Sequence, residues 1–222
     1  MKNSFPIGFW NYVSIDNQGP EEVRNWVDAG ITLTHGPGMR DADHQSDKMR
    51  AILDTCAENE VRLILCIGNL RGTEVGKAGE AEYRRRFEAA LRLYGDHPAV
   101  YGFSVGDEPT HGIMQDFCTA QRIQREMAPD LVSFCNHANY NPAPNLSPRY
   151  FGYEDFQSFL DYYIEASGTS LLCYDSYACM IEDAWLEQEP GTGHEHWFRN
   201  LHAYGTGARR HGIDAWTTAL SV

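Results

Sequence analysis

The sequence predicts an α/β protein of the (β/α)8 barrel class. Short runs rich in apolar and β-branched residues alternate with longer amphipathic helical patterns from one end of the chain to the other. Residues 61–67 form a continuous apolar run, as expected of a parallel strand that is buried on both faces. No glycine-rich dinucleotide-binding turn follows the first apolar run. A closed barrel fits these observations better than a doubly wound sheet, which the same alternation also permits.

Seven strands are predicted, with helical patterns between them. They span residues 7–13, 31–34, 61–67, 100–105, 131–135, 170–174 and 214–220. A complete barrel has eight strands and typically needs about 250 residues. The sequence therefore predicts a single catalytic-type domain over residues 1–222 that is truncated after strand seven. We expect the open edge of such a sheet to favour self-association.

The composition limits the classes of partner. A net charge of −13 and a pI near 5.0 argue against nucleic acid, because phosphate binding needs clustered lysine and arginine. The sequence contains no apolar stretch of bilayer length, and residues 1–4 lack the apolar segment of a signal peptide. We therefore predict no membrane partner and leave localisation open between cytoplasm and export. The six cysteines have no tight spacing pattern, so free thiols are expected.

Polar and aromatic residues follow the predicted strands. Because the carboxyl ends of barrel strands meet at one rim, these residues are the candidates for a common site. Aromatic faces, amides and carboxylates are the groups that sugars require, whereas each residue taken singly has an ordinary structural role. In chain order the candidates are Trp10, Asn11, Tyr12, His35, Asn69, Asp107, Glu108, Asn136, His137, Asp175 and Tyr177.

Glu108 is the strongest catalytic candidate. It follows a buried strand, where low polarity raises the pKa of a carboxyl group, and a raised pKa suits a general acid. Pro109 restricts the residue before it to an extended backbone, which would hold Glu108 at the strand tip. The alternative is a structural carboxylate near a helix N-terminus, where the helix dipole stabilises the charge.

Asp107-Glu108-Pro109 resembles the Asn-Glu-Pro motif of the retaining (β/α)8 glycoside hydrolases. Further stretches are similar to a β-galactosidase-like bacterial group of that clan, at residues 7–12, 106–109, 174–177 and 216–222. The resemblance implies hydrolysis of the O-glycosidic bond of a β-linked, galactoside-like sugar. It also implies that Glu108 is the general acid/base and that a saccharide is the partner. We expect no cofactor and no metal, since His194-Glu195-His196 lacks the HExxH spacing.

The chain departs from this motif pattern in two places. Asp107 stands where the clan usually has an asparagine, and an aspartate can accept but not donate the corresponding hydrogen bond. The resemblance places the nucleophilic glutamate at the end of strand seven, but residues 214–222 contain none. Asp175 is the best second acid, either as nucleophile or as a ligand of the sugar, and Tyr177 would orient it or stack on the sugar. The alternative function is a carbohydrate-binding or inactive barrel that lacks the nucleophile.

Overall fold

A computed structural model describes residues 5–140, 150–177 and 193–218. Its centre is one parallel sheet in which six strands follow chain order, β1-β2-β3-β4-β5-β6. The strands are β1 (Leu33–His35), β2 (Arg62–Leu65), β3 (Val100–Asp107), β4 (Val132–His137), β5 (Leu171–Asp175) and β6 (Asp214–Thr218).

The helices follow the strands in regular alternation. They are α1 (Glu22–Asp28), α2 (Ser46–Glu58), α3 (Thr73–Ala78), α4 (Glu80–Ala90), α5 (His111–Met127), α6 (Phe156–Ser167) and α7 (Gly193–His211). Each strand from β1 to β5 leads into at least one helix and then into the adjacent parallel strand. This connectivity confirms the predicted fold class, an incomplete (β/α)8 barrel. None of the helices in the described ranges is both long and apolar enough to cross a membrane.

The predicted first strand is wrong. Residues 7–13 run beside β1, but they have no regular strand pairing with it. The backbone N–H of Ile7 donates to Thr32 Oγ1 at 2.9 Å, and that of Phe9 donates to Thr34 Oγ1 at 3.1 Å. Side-chain hydroxyls thus take the place of the carbonyls of a strand ladder, which sequence alternation does not reveal. Of the predicted last strand, 214–218 are in β6 and 219–220 lie outside the described residues.

Strands β1, β2, β4 and β5 are mostly buried, with alternate side chains on opposite faces of the sheet, whereas β6 is exposed at its start. On the outer side, strand residues such as Leu63 and Leu172 pack against the helices in two clusters. On the inner side a smaller cluster contains Ile64, Phe134, Leu171 and Cys173, packed against Trp10, Tyr101, Val132 and Trp216. This inner cluster forms the floor beneath the carboxyl ends of the strands.

The predicted free thiols are confirmed at five positions. Cys56, Cys66, Cys118, Cys135 and Cys173 form no disulfide, and Cys179 lies outside the described residues. Burial raises the pKa of Cys56, Cys118 and Cys173 to about 12, so these thiols stay protonated and unreactive at neutral pH.

Strand β4 lies close against β3 at Gly102. A Cβ atom at this position would stand 1.9 Å from the carbonyl oxygen of Val132, which is itself part of β4. The contact is with backbone, so a side chain could be accommodated only by moving the strands apart.

We therefore expect Gly102→Ala to lower the free energy of unfolding by about 2 to 3 kcal/mol, at the upper end of overpacking effects. The measurement is urea unfolding followed by circular dichroism. Gly112→Ala is the matched control, because a Cβ there meets nothing within 4 Å and should change stability by less than about 0.5 kcal/mol. Equal stability of the two variants would contradict the close approach of β3 and β4.

Candidate active site

The chain turns sharply where β3 ends. Gly106 has a φ of 127°, and Glu108 has a φ of 42°, a positive value that is uncommon for any residue with a side chain. The expectation that Pro109 holds Glu108 in an extended conformation is therefore wrong. The N–H of Glu108 donates to the carbonyl of Asn136 at 2.9 Å, and the Tyr150 hydroxyl donates to the carbonyl of Glu108 at 3.0 Å. These two hydrogen bonds hold the backbone of Glu108 in this conformation and offset the strain of its positive φ, which is about 1 to 3 kcal/mol.

Three carboxyl groups gather at this turn. Asp107 ends β3 and is paired in register with Asn136 of β4, whose side-chain amide donates to Asp107 Oδ1 at 2.9 Å. Asp175 ends β5 and is only 6% exposed. Its carboxyl group lies near enough to that of Glu108 to raise the pKa of Glu108 by its charge and by hydrogen bonding. Two carboxyl groups can share a hydrogen bond only if one of them carries a proton.

The surroundings of Glu108 favour its protonated form. Burial is the largest cause, and the negative charge of Asp175, the hydrogen bond with that carboxyl and the charge of Asp107 act in the same direction. Together they raise the pKa of Glu108 to about 7, against a weaker opposing effect of the Tyr150 hydroxyl. A carboxyl group that holds a proton near neutral pH meets the main requirement for a general acid.

Tyrosines surround the carboxyl groups. The Tyr177 hydroxyl donates to Asp175 Oδ2 at 2.7 Å. Burial, followed by the nearby carboxylates, raises the pKa of Tyr150 to about 12 and also raises the pKa of Tyr12 and Tyr177. All three hydroxyls therefore stay protonated and available as donors. Tyr150 was missed by the sequence analysis, because it follows no strand and no periodic pattern singles it out.

A cleft of about 530 Å³ opens beside Asp107. It lies at the carboxyl ends of β1, β2 and β3, and it is the size of a small-molecule site. Its walls are formed by Trp10, Asn11, Tyr12, Val13, Ser14, Asp16, Gly38, Met39, Arg40, His44, Cys66, Ile67, Gly68, Arg71, Ser104, Gly106 and Asp107.

The three candidates of the N-terminal segment line this cleft. Trp10 and Tyr12 place their ring centroids 6.2 Å apart, and Tyr12 is 83% exposed, so both offer aromatic surface. Asn11 is buried instead. Its side-chain amide donates to Gln18 Oε1 at 2.7 Å, and its side-chain oxygen accepts from the N–H of Val13 at 3.0 Å. Asn11 therefore holds the segment in shape.

Three other candidates lie below or beside the cleft. His35 is buried under Trp10, with ring centroids 4.3 Å apart, and burial lowers its pKa to about 4. His137 alternates with Asn136 along β4, so its side chain points to the helix side of the sheet. Its ring packs against that of Tyr163 in α6, with centroids 4.2 Å apart. Burial lowers the pKa of His137 to about 3. Asn69 donates its N–H to the carbonyl of Arg40 at 2.9 Å, and it is not part of the cleft wall. The structure does not bring these side chains to the carboxyl groups.

The described ranges contain no group of three or more histidine, cysteine, aspartate or glutamate side chains placed to hold a metal ion. His196 lies in α7, where its Nε2 is 2.7 Å from Nδ2 of Asn139 and 3.3 Å from Nδ2 of Asn200. These contacts tie the helix to the residues that follow β4. The side chains of its neighbours at 194 and 195 lie outside the described part of the structure.

Comparison with solved structures finds the same barrel fold in several enzymes. The chain is similar to a protein from Bacteroides thetaiotaomicron described as an α-L-fucosidase, with a TM-score of 0.61 and 11% identity over 99% of this chain and 72% of that one. It is similar to the β-mannanase of the blue mussel Mytilus edulis, with a TM-score of 0.57 and 11% identity over 98% of this chain and 88% of that one. It is also similar to a GH10 xylanase of Thermobacillus composti, with a TM-score of 0.56 and 11% identity over 96% of this chain and 69% of that one.

No family model matches the chain. No curated protein matches it either. At these levels of identity the structural likeness establishes the fold alone.

The pKa of Glu108 has a consequence for stability. The folded state keeps this proton up to about pH 7, whereas the unfolded chain releases it near the ordinary value of 4.5, so the free energy of unfolding falls as pH rises between these values. Glu108→Gln removes this penalty and should raise the free energy of unfolding at pH 8 by about 1 to 2 kcal/mol, after allowance for partial exposure. At pH 4 it should have little effect.

Thermal unfolding of both proteins across this pH range is the measurement. Glu58→Gln, an exposed position at the end of α2, is the charge-matched control and should not reproduce the pH-dependent difference. A constant difference between Glu108→Gln and the parent at all pH values would disprove the raised pKa.

Proposed function

We propose that this protein hydrolyses O-glycosidic bonds, with Glu108 as general acid/base and Asp175 as the second carboxylate. The observation that carries the proposal is that Glu108 and Asp175 meet at the rim of the sheet, where burial first, and then the neighbouring carboxyl groups, raise the pKa of Glu108 to about 7. The cleft beside them exposes aromatic surface at Trp10 and Tyr12, which suits the apolar faces of sugar rings.

The two carboxyl groups can divide the reaction between them. Glu108 donates its proton to the glycosidic oxygen as the bond from that oxygen to the anomeric carbon breaks, and Asp175 forms an ester with the anomeric carbon. The Glu108 carboxylate then takes a proton from water, the water oxygen attacks the anomeric carbon, and Asp175 leaves as a carboxylate. Tyr177, which donates to Asp175 Oδ2 at 2.7 Å, would orient the nucleophile.

The proximity of the carboxyl groups favours a retaining mechanism. Retaining pairs stand about 5 to 5.5 Å apart, whereas inverting pairs need about 6.5 to 9.5 Å to admit a water molecule between carboxylate and sugar. Carboxyl groups that act on each other's protonation in the free protein are nearer to the retaining separation than to the inverting one. The preference for a β-linked, galactoside-like sugar is supported by the resemblance of residues 106–109 and 174–177 to the β-galactosidase-like barrels.

The fold neighbours are compatible with this proposal, since the α-L-fucosidase and the β-mannanase act on glycosides by name. Barrels of this class support many reactions, so the assignment depends on the carboxyl pair and not on the fold.

A second function is supported by the C-terminal half of β6. Trp216, Thr217 and Thr218 offer no carboxylate at the end of this strand, where the resemblance implies a nucleophile. A barrel without that group would bind saccharides without cleaving them. Calorimetric binding of a β-galactoside that is never hydrolysed would favour this second function.

We expect Glu108→Gln to reduce kcat on a β-linked disaccharide about 10²- to 10⁴-fold while the protein stays folded, because an amide cannot donate the acidic proton. In the parent enzyme, kcat/KM should fall as pH rises through about 7, where Glu108 of the free protein loses its proton. Product release measured from pH 5 to 9 tests both effects, with Glu58→Gln as control. Full activity of Glu108→Gln would rule out the assignment.

The stereochemistry of the product tests the role of Asp175. We expect the first sugar released from a β-glycoside to be the β-anomer, because two displacements at the anomeric carbon restore its configuration. Proton NMR recorded in the first minutes of the reaction distinguishes the anomers before they equilibrate. Release of the α-anomer would show that water attacks directly and that Asp175 is not the nucleophile.

A further inference from the structure

Two arginines of the cleft wall have no polar partner among the residues that the structure describes. Neither the Arg40 nor the Arg71 guanidinium makes a hydrogen bond or an ion pair with a described residue, and both side chains are exposed in the cleft. Every other lysine or arginine in the described ranges has at least one such partner; examples are Arg24 with Asp28 and Arg86 with Glu74. A single unpaired arginine is ordinary at a protein surface, but the wall of one cleft here holds two, in a chain with net charge −13.

The backbone holds these two arginines on adjacent, mutually bonded loops. Met39 donates its N–H to the carbonyl of Cys66 at 2.9 Å, and Gly68 donates to the carbonyl of Met39 at 2.7 Å. Asn69 donates to the carbonyl of Arg40 at 2.9 Å. The loop after β1 is thereby fixed to the loop after β2, so the positions of both arginine backbones are set before any ligand binds. Such preorganisation lowers the entropic cost of binding.

Unlike the two arginines, the acidic side chains of the same cleft already have partners. Asp16 is engaged by His44, whose Nε2 lies 3.0 Å from Asp16 Oδ1. Asp107 accepts from Asn136, and the charge of Arg71 acts on it across the cleft. The arginines are therefore the groups left to bind a ligand, while the carboxylates would repel a polyanion such as nucleic acid.

We propose that the cleft takes an anionic saccharide, whose carboxylate or sulfate group is bound by Arg40 and Arg71. The planar guanidinium presents two parallel N–H groups that match either anion. This inference deepens the proposed function, on which it rests, because it names the substrate class of the same site. The sugar ring would lie against Trp10 and Tyr12, with its anionic group directed to the arginines. Its glycosidic bond would extend past Asp107, the last residue of the cleft wall, to the adjacent Glu108.

Calorimetry on the Glu108→Gln protein tests the proposal without turnover. The probes are a β-linked uronate-containing disaccharide with its carboxyl-reduced form, and a sulfated β-galactoside with its desulfated form. We expect one charged probe to bind at least tenfold more tightly than its neutral counterpart, and the pair that shows this preference identifies the anionic group. Adding Arg71→Gln or Arg40→Gln should abolish the preference, whereas Arg92→Gln, which removes an exposed ion pair with Glu88 outside the cleft, should keep it.

Equal binding of charged and neutral probes would overturn the proposal, as would a preference that survives in both arginine variants. Failure of the proposed function gives a different result. If the parent protein hydrolyses none of the four probes but still prefers a charged one, the anionic subsite stands and the chain is a binding barrel. If it hydrolyses the neutral and charged probes with equal kcat/KM, glycoside hydrolysis stands and the anionic subsite is refuted.

Discussion

The candidate site depends on the parallel pairing of β3, β4 and β5. Asp107 is in register with Asn136, and Asn136 is in register with Cys173, two residues before Asp175. All three strands therefore end at the same edge of the sheet. A shift of one residue in either pairing would move the last side chain of a strand to the opposite face and separate the carboxyl groups. Strand register positions Asp107 and Asp175, and the turn after β3 brings Glu108 to them.

Bringing three carboxyl groups together costs free energy, because like charges repel in a partly buried site. The structure offsets this cost with hydrogen-bond donors: Asn136 binds Asp107, Tyr177 binds Asp175, and Tyr150 binds the backbone of Glu108. A proton on Glu108 removes one of the charges. The same arrangement that makes the cluster tolerable also produces an acid with a pKa near neutrality.

The sequence predicted the fold class and the position of the acids, because both follow from the alternation of strands and helices. The prediction of a first strand at residues 7–13 was wrong, because the side-chain hydroxyls of Thr32 and Thr34 accept the hydrogen bonds that backbone carbonyls would accept in a strand pair. The sequence could not tell that His137 points to the helices, since strand register is set by long-range pairing. Tyr150 reaches the site through tertiary packing, which leaves no local pattern in the sequence.

The left-handed backbone at Glu108 limits how the site can change during evolution. At a φ of 42° a β-branched residue is strongly disfavoured, whereas glycine, asparagine and aspartate are tolerated. Substitutions at this position are therefore limited mainly to these small residues. A neutral asparagine or glycine here would take one carboxyl group out of the cluster and relieve its repulsion with Asp175 and Asp107, so the side chain with the greatest capacity for chemistry at this site is also one that costs folding free energy.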